Sequence, residues 1–475
     1  MIRHAFLDQL RTNIREKSNG ITNQRIKWIN SNPYFYNQQI KTLKYIIRPK
    51  SRVLHIRCGI GFILNRLEPS YGVGIDDSFD QIAEAKKNHP HLKFIDHNVE
   101  DIQLDEKFDY VLITSPEDIV DLKAVLDSVK KCCNRSTRIV ILYYSILWYP
   151  IIKLAEKLNL RLPQNLHNWI SPGDLNNLFI HSGYDSFNHY PWMLIPFNIP
   201  VISYLVNRFL ARLPILKHFA LMRLDIARII PETYSDYSVS IVIPCRNEVG
   251  NIEEAVKRIP SLGNHTEIIF GDDKSTDGTS EKIKEMIVKY SDKDIKLVDS
   301  PGINKAMNVW SCFDAASGDI LMILDADLTV IPEELPYFYE AIAKGRGEFI
   351  NGSRMMYPMH EEAMRFFNII GNKFFSVAFS FILNINIKDT LCGTKVMFTS
   401  DFDHISQLRG SWGINDRWGD YELIFGASKC QLKLIDMPVH YTERIYGTTK
   451  MTGRIKNGLI MLKMCWVALF KIKFH

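Results

Sequence analysis

The chain has 475 residues, of which 46% are hydrophobic and 23% charged, and its formal net charge is +5. This length exceeds what one hydrophobic core usually supports and predicts two or three domains, whereas the composition is that of an ordinary folded protein. The net charge is small and no basic tract is interleaved with aromatic residues, so the sequence does not indicate a nucleic-acid partner.

The eight cysteines are scattered without Cys-x-x-Cys spacing. This argues against a zinc site or a disulfide framework and indicates a reducing compartment. Charged residues interrupt the first 17 positions, so they do not have the pattern of a signal peptide. No uncharged apolar run convincingly reaches the length of a membrane-spanning helix. These features predict a cytoplasmic protein.

Residues 1–50 are polar and predict an N-terminal helical extension. From 51 to 145, short apolar strands at 53–56, 72–75, 110–113 and 138–142 alternate with helical segments. This alternation is typical of a doubly wound α/β sheet, and it predicts a Rossmann-like core over 51–145.

The 51–145 region resembles the class I S-adenosylmethionine-dependent methyltransferases in the glycine turn after its first strand and the acid that ends its second strand. That resemblance implies that Gly59 and Gly61 approach the methionine part of S-adenosylmethionine. It also implies that Asp76 binds the ribose hydroxyls and that Asn98 lies near the adenine.

Three residues depart from this family's pattern. His55 stands where an acid is usual, Arg57 replaces the first glycine, and Asn98 replaces an aspartate. An arginine side chain at a position of close backbone approach would crowd the cofactor. The domain is therefore either a methyltransferase that binds the cofactor or a degenerate domain kept for folding or docking.

Residues 146–237 combine apolar, aromatic and basic residues, and we interpret them as a helical extension followed by a linker at 231–237. Two interpretations are open. The segment could lie in a membrane interface as a basic amphipathic helix, or form a helix pair packed between two domains.

A second α/β pattern begins at residue 238, with strands at 239–243, 267–270, 296–298 and 320–324. Polar residues follow three of these strands, among them Glu248, Asp273, Asp325 and Asp327. In open α/β sheets, ligands bind outside the carboxyl ends of the strands. Two carboxylates separated by one residue repel each other unless a cation neutralises them, and Mg²⁺ typically takes one or two carboxylates plus substrate phosphates. The pattern predicts a metal-diphosphate site.

The segments 239–248, 272–279 and 317–327 resemble, in order and spacing, the family 2 glycosyltransferases, whose fold is called GT-A. The resemblance covers 238–475 and implies that Asp325 contacts the ribose or sugar and that Asp327 holds Mg²⁺ or Mn²⁺ on the diphosphate. The nucleotide-sugar-binding residues that it implies are Pro244, Arg246, Glu248, Asp273 and Asp325.

The segments 351–354, 389–395, 419–422 and 444–450 resemble the branch of that family that makes polyprenyl-phosphate sugars. This implies inverting transfer of a hexose from a UDP- or GDP-sugar to a polyprenyl phosphate. The implied catalytic residues are Asp325, Asp327, Arg444 and Asp420, and the implied acceptor-phosphate residues are Arg354, Arg365 and Lys450. Thr329, where a glutamine metal ligand is often found, and the altered loop at 303–305 leave the metal and the sugar open.

The nature of the acceptor decides whether the reaction needs a general base. A lipid phosphate has a second pKa near 6 and is largely dianionic at neutral pH, so it needs cationic capture but no base. A saccharide hydroxyl would need a carboxylate base, for which Asp389, Asp420 and Glu422 are candidates. The metal would act as a Lewis acid on the leaving diphosphate in both cases.

The phenylalanine-rich segment 363–383 and the C-terminal segment 459–474 are apolar and contain scattered lysines or arginines. They are either ordinary core or helices that lie on the inner membrane face as a peripheral anchor. Two further functions remain open: a bifunctional methyltransferase and glycosyltransferase acting on a saccharide hydroxyl, and a non-catalytic scaffold that keeps the fold.

Overall fold

The computed structural model describes residues 2–162, 170–231, 235–357, 366–413, 416–444, 446–447 and 454–475. The chain divides into two compact units, the first Met1–Ile230 with Phe474 and the second Pro231–Lys473 with His475. Each unit contains one seven-stranded sheet. The predicted fold class, two doubly wound α/β domains, is confirmed.

The first unit alternates strands and helices after three N-terminal helices. Its strands are β1 (Arg52–Ile56), β2 (Tyr71–Asp76), β3 (Lys93–Asp96), β4 (Tyr110–Ile113), β5 (Arg138–Tyr144), β6 (Tyr184–Trp192) and β7 (Met222–Ile229). Its α-helices are α1 (Ile2–Gly20), α2 (Thr22–Ser31), α3 (Pro33–Ile46), α4 (Phe62–Leu67), α5 (Phe79–Asn88), α6 (Leu122–Ser128), α7 (Tyr149–Lys157), α8 (Pro172–His181) and α9 (Ile202–Arg208).

The strand order of the first sheet is β3-β2-β1-β4-β5-β7-β6. Strands β1 to β5 are parallel, and β7 runs antiparallel to both β5 and β6. All four residues of β4 and four of the five in β1 are buried. Both strands are thus covered on both faces, as the continuous apolar runs predicted. Because Ile56 pairs with Ile113, the carboxyl ends of β1 and β4 lie side by side.

The stretch 146–237 differs from the expected helical extension because it supplies β6 and β7 to the first sheet. Its interleaved charges resemble a basic amphipathic helix, but inside the sheet they are neutralised. Asp225 accepts a hydrogen bond from the Tyr143 hydroxyl at 2.9 Å, and Arg228 pairs with Asp185 at 3.0 Å. Within β6 and β7, these charged residues therefore join neighbouring strands.

The second unit repeats the α/β alternation and ends in helices. Its strands are β8 (Ser238–Cys245), β9 (His265–Asp272), β10 (Asp294–Asp299), β11 (Ile320–Ile323), β12 (Phe349–Ser353), β13 (Lys395–Phe398) and β14 (Leu434–Pro438). Its α-helices are α10 (Ile252–Arg258), α11 (Thr279–Lys289), α12 (Lys305–Ala315), α13 (Leu335–Ala343), α14 (Phe366–Leu383), α15 (Thr399–Ser406), α16 (Asp420–Lys429) and α17 (Arg454–Ala468).

The strand order of the second sheet is β10-β9-β8-β11-β13-β12-β14. Strands β8 to β11 are parallel, and β13 lies antiparallel between β11 and β12. One hydrophobic cluster covers each face of this sheet. The carboxyl ends of β8, β9 and β11 therefore open at one edge, where the sequence predicts the site.

Candidate active site

Two loops at the carboxyl ends of β8 and β9 are tied together by side chains. The Asn247 amide donates to Ser275 Oγ at 2.9 Å, and the Thr276 amide donates to Asn247 Oδ1 at 2.8 Å. Asn247 and Lys274 both adopt positive φ, at 54° and 56°, which turns each loop sharply. These cross-links hold the two loops in one arrangement.

Glu248 is only 4% exposed at the base of the first loop. Its amide donates to Thr279 Oγ1 at 2.9 Å, and the Asn251 amide group donates to its Oε2 at 2.8 Å. The carboxylate is thus oriented by its neighbours and stands beside the start of helix α11.

Asp273 is also 4% exposed and lies at the start of the second loop. Its Oδ1 accepts from Ser300 Oγ at 3.1 Å, and Arg246 Nη1 lies 3.4 Å from its Oδ2. Pro244, at the end of β8, is partly exposed. The structure therefore brings the residues implied for nucleotide binding to one edge of the sheet.

Asp325 follows the buried strand β11 and pairs with Lys305, whose Nζ lies 2.5 Å from its Oδ1. Lys305 opens helix α12, where the side chain of Asn304 caps the helix by accepting from the Met307 amide. Burial opposes ionisation of Asp325, but Lys305 outweighs it, so the pKa of Asp325 lies below its usual range. Asp325 is thus held as a carboxylate.

Asp327 is oriented by two neighbours. Its Oδ1 accepts from Thr329 Oγ1 at 2.8 Å, and its Oδ2 accepts from Arg444 Nη2 at 2.5 Å. Arg444 reaches this position because the Thr442 amide donates to the Thr329 carbonyl at 2.9 Å. Arg444 therefore binds Asp327 just after β11, two positions beyond Asp325.

The donor set at this corner fits a divalent cation that is also held by substrate phosphates. Asp327 would hold the ion, and Asp325 stands one residue away, which matches the one or two carboxylates that Mg²⁺ usually takes. The Thr329 hydroxyl donates a hydrogen bond to Asp327 and so contacts the carboxylate that would hold the ion. Across the described ranges, no three His, Cys, Asp or Glu side chains are placed to hold a metal by themselves.

Arg354, implied as an acceptor-phosphate residue, makes a two-pronged ion pair with Asp389. Its Nε lies 2.7 Å from Oδ2 and its Nη2 lies 2.9 Å from Oδ1. Asn372 of α14 also donates to Asp389, at 3.1 Å. Although burial opposes it, Arg354 lowers the pKa of Asp389 to about 2. The other two implied acceptor residues, Arg365 and Lys450, lie outside the described residues.

The three carboxylates considered as general bases are all engaged. Asp389 pairs with Arg354, and Asp420 lies 3.1 Å from the fully buried Nζ of Lys395. Glu422 accepts from the Gly410 amide at 3.3 Å, and burial raises its pKa. In this arrangement each of the three carboxylates already has a hydrogen-bond or ion-pair partner.

In the first unit, Asp76 is buried and both of its oxygens are used. The Gly59 amide donates to Oδ2 at 2.8 Å, the Ser78 amide donates to Oδ1 at 3.0 Å, and Arg57 Nη1 lies 3.5 Å from Oδ1. These three partners leave about one of the carboxylate's four lone pairs, whereas two ribose hydroxyls need two. The Asp76 carboxylate in this arrangement therefore does not fit a ribose that is bound through both of its hydroxyls.

Of the other three residues implied for that cofactor, Gly59 lines a cleft at the end of β1, whereas Gly61 and Asn98 do not. A Cβ on Gly61 would lie 2.6 Å from the ring of Phe94, so this glycine serves packing. Asn98 is exposed, and its Oδ1 accepts from the Glu100 amide two residues on. Gly61 and Asn98 therefore do not form the walls of a cofactor pocket.

Helices α14 and α17 each expose an apolar strip. On α14, Ile370, Phe374 and Val377 are exposed, whereas Phe375 and Phe379 are buried in the core. On α17, the exposed residues are Leu459, Leu462 and Trp466. In the described part of the chain, no helix combines the length and hydropathy needed to cross a membrane.

Together, these features place acidic and basic side chains at one edge of a doubly wound sheet in the second unit. Residues 240–406 match the family model "Glycosyl transferase family 2". The second unit therefore contains a family 2 glycosyl transferase domain.

Two curated proteins match part of this domain. The dolichol-phosphate mannosyltransferase of Pyrococcus furiosus is 41% identical over 118 residues, which cover 24% of this chain and 33% of that protein. The undecaprenyl-phosphate 4-deoxy-4-formamido-L-arabinose transferase of Edwardsiella ictaluri is 32% identical over 111 residues, covering 22% and 34%. The chain thus spans about a third of the length of these relatives.

Solved structures similar to the chain include methyltransferases. An S-adenosylmethionine-dependent methyltransferase from Thermotoga maritima gives a TM-score of 0.36 at 14% identity, covering 45% of this chain and 99% of that one. The magnesium protoporphyrin IX methyltransferase of Synechocystis with bound SAH gives 0.33 at 14%, covering 46% and 99%. Likeness at this level carries no conclusion about activity.

The structure adds two residues that the sequence did not indicate as part of the site. Lys305 pairs with Asp325, and Gly393 packs directly against the same carboxylate. Lys305 follows Asn304, a residue type that often caps a helix, and this position could have drawn attention to it. Gly393 lies in the segment 389–395, but only the pairing of β11 with β13 brings it to Asp325.

Proposed function

We propose that the second unit transfers a hexose, with inversion, from a UDP- or GDP-sugar to a polyprenyl phosphate at the cytosolic face of a membrane. The proposal is carried by the pairing of Arg444 with Asp327 just after β11, two positions beyond Asp325, beside the loops that hold Glu248 and Asp273. The curated relatives are named for transfer to dolichol phosphate and undecaprenyl phosphate, which supports this acceptor class.

In this reaction, Glu248 and Asp273 orient the nucleoside, and Asp325 accepts hydrogen bonds from sugar or ribose hydroxyls because Lys305 keeps it ionised. Arg444 turns a guanidinium toward the diphosphate, whose oxygens it can bind in pairs. A Mg²⁺ or Mn²⁺ ion held by Asp327 supplies Lewis acidity to the leaving diphosphate.

The acceptor phosphate attacks the anomeric carbon from the face opposite the diphosphate. A carbon–oxygen bond to the lipid phosphate forms while the bond to the diphosphate breaks, which inverts the anomeric configuration. With a second pKa near 6, the attacking oxygen carries no proton at neutral pH, so the step needs no base.

The engagement of the candidate bases favours this acceptor over a saccharide hydroxyl. Asp389 and Asp420 are bound to buried cations, and Glu422 is bound to a backbone amide. The ion pair with Arg354 lowers the pKa of Asp389 and makes it a weak base for an alcohol acceptor.

Peripheral membrane contact is supported by the exposed strips on α14 and α17. Phe374 and Trp466 are 57% and 64% exposed, and the lysines Lys373 and Lys463 are exposed beside them. Apolar rings flanked by lysines suit the boundary between acyl chains and anionic headgroups. The Asn372 side chain donates to Asp389, so α14 connects its exposed strip to the site.

The test is transfer of radiolabelled hexose from UDP- and GDP-sugars to undecaprenyl and dolichyl phosphate in detergent, with Mg²⁺ or Mn²⁺. The proposal expects label in an organic-extractable product that mild acid releases. Asp327→Asn should abolish it, while Asp292→Asn, an exposed carboxylate before β10, should not. Transfer only to water-soluble acceptors would contradict the proposal, and absence of nucleotide-sugar binding in calorimetry would favour a non-catalytic scaffold.

A further inference from the structure

The first unit contains a cleft beside the carboxyl ends of β1 and β4, closed by helices α2 and α3. Its lining includes Arg25, Arg57 and Arg161, and no carboxylate is among the described residues that line it. Guanidinium groups are fork-shaped hydrogen-bond donors, so these three side chains suit a ligand that carries phosphate or carboxylate oxygens.

Two of the three arginines form ion pairs with carboxylates that do not line the cleft. Arg57 is buried and pairs with Asp76 and Asp77, neither of which lines the cleft. Arg161 pairs with Glu156 at 3.2 Å, and its guanidinium carbon lies 4.5 Å from the centre of the Tyr144 ring. Both side chains are therefore fixed in position while they face the cleft.

Arg25 has no such partner. Among the described residues, its guanidinium meets no hydrogen-bond acceptor or carboxylate, although it is only partly exposed. A Cβ on Gly59 would lie 3.5 Å from its Nη1, so Arg25 covers the glycine turn. Among the described residues that line the cleft, Arg25 thus supplies a cation without a partner at the turn where a Rossmann-like sheet usually admits its ligand.

His55 gives a second, independent indication of a ligand. The ring is 1% exposed and lines the cleft, and its Nε2 lies 3.0 Å from Thr114 Oγ1. Within the described residues its buried Nδ1 has no hydrogen-bond partner. Buried polar atoms are seldom left unpaired, so a ligand atom in the cleft would complete this one.

The charge of the cleft disfavours S-adenosylmethionine. That cofactor carries a sulfonium, an ammonium and one carboxylate, so it is a net cation, and Arg25 would repel it at the glycine turn, whereas the charge of Arg57 is balanced by Asp76 and Asp77. An anion would be attracted, and the aromatic walls formed by Trp28, Tyr36 and Phe62 offer faces on which a planar ring can stack.

We propose that this cleft binds an organic phosphate attached to a planar ring, such as a nucleoside monophosphate, with the phosphate held by Arg25 and the neighbouring guanidinium groups. The site is independent of the donor site in the second unit, and the inference does not rest on the proposed glycosyl transfer.

The test uses the full chain and compares AMP, adenosine and S-adenosylmethionine by calorimetry. We expect AMP to bind at least tenfold more tightly than adenosine. Arg25→Ala should weaken AMP at least tenfold, and Lys27→Ala, an exposed cation on the same helix, should leave it unchanged. Because Arg25 makes no side-chain bond in the described structure, its replacement should not unfold the unit.

Photolabelling with 8-azido-AMP separates this cleft from the donor site. Label should appear in peptides from residues 21–63 or 114–162 and persist in an Asp273→Asn variant. Label confined to 238–325, equal binding of AMP and adenosine, no binding of AMP, or tight S-adenosylmethionine binding unaffected by Arg25→Ala would each overturn the proposal.

Discussion

Gly393 and Asp325 are in direct contact: a Cβ built on Gly393 would stand 2.2 Å from Asp325 Oδ2 and 2.6 Å from its Cγ. Gly393 precedes β13, and β13 is fixed against β11 by the pairing of Val396 with Met322. Neither backbone can retreat without breaking the ladder. A residue without a side chain is therefore required beside the carboxylate.

Gly393→Ala should displace Asp325 from its position beside Lys305 and lower kcat/KM for the nucleotide-sugar. A misplacement of about 1 Å at an active site can cost roughly 100-fold in rate, which sets the expected size. The radiolabel transfer assay measures it.

The matched control is Gly371→Ala on α14, where an added Cβ would meet nothing within 4 Å. This variant should keep full activity. If Gly393→Ala were as active as the control, the position of Asp325 would not matter to transfer.

The strand ends of the second unit were predictable from the sequence because each is a short apolar run that stops at polar residues. From this pattern alone, the sequence predicts that Glu248, Asp273, Asp325 and Asp327 lie at one edge of the sheet. It depends only on local chain direction and on the rule that parallel strands open at the same edge.

The ion pairs were not predictable. Lys305 and Asp325 are 20 residues apart, and Arg354 and Asp389 are 35 apart, so their pairing depends on how helices and strands pack. The sequence predicts that Arg354 faces a substrate phosphate. Because Arg354 makes two bonds to Asp389, it could take that role only after it releases Asp389. Sequence motifs identify charged residues but do not identify their counter-ions.

Asp389→Asn should destabilise the second unit strongly. It would leave the Arg354 guanidinium without its buried counter-charge, and breaking a buried pair from one side costs about 3–5 kcal/mol. Urea unfolding followed by circular dichroism should show the loss as a lower midpoint. Glu340→Gln, which removes the exposed pair with Lys344, is the matched control and should leave the midpoint unchanged.

The ion pair between Arg354 and Asp389 makes the stability of the second unit depend on pH in a defined direction. The folded pKa of Asp389 is about 2 against an ordinary 3.8, so the native state holds its proton less tightly than the unfolded chain. The stabilisation is present above pH 4 and is lost as the pH falls toward 2, by about 2 kcal/mol. In Asp389→Asn, that acid-induced loss should be absent.

Glu117→Gln should stabilise the first unit at neutral and higher pH. Burial raises the pKa of Glu117 to about 7, and the Tyr144 amide donates to its Oε1 at 2.8 Å. A glutamine oxygen can still accept that bond.

Between pH 4.5 and 7 the unfolded chain releases the Glu117 proton while the folded unit keeps it. Stability of the natural protein should therefore fall as pH rises through this window, by up to roughly 3 kcal/mol. Thermal unfolding of both proteins at pH 5 and pH 8 measures the difference. Parallel pH profiles would mean that Glu117 is ionised in the folded state.

Arg444→Gln should separate metal binding from turnover. Arg444 Nη2 lies 2.5 Å from Asp327 Oδ2, so the guanidinium and a divalent cation compete for the same oxygen in the absence of substrate. Removing the positive charge should tighten Mn²⁺ binding by roughly tenfold. Loss of a donor aimed at the leaving diphosphate should lower kcat by roughly 100-fold.

The paramagnetic signal of free Mn²⁺ measures the first effect without reference to activity. Asp327→Asn should abolish Mn²⁺ retention, and Arg346→Gln, an exposed arginine after α13, should change neither binding nor kcat. Equal Mn²⁺ affinity in Arg444→Gln and the natural protein would show that the ion binds without displacing Arg444. In that case the ion would bind through Asp327 Oδ1 or through the second lone pair of Oδ2, with the Arg444 hydrogen bond retained.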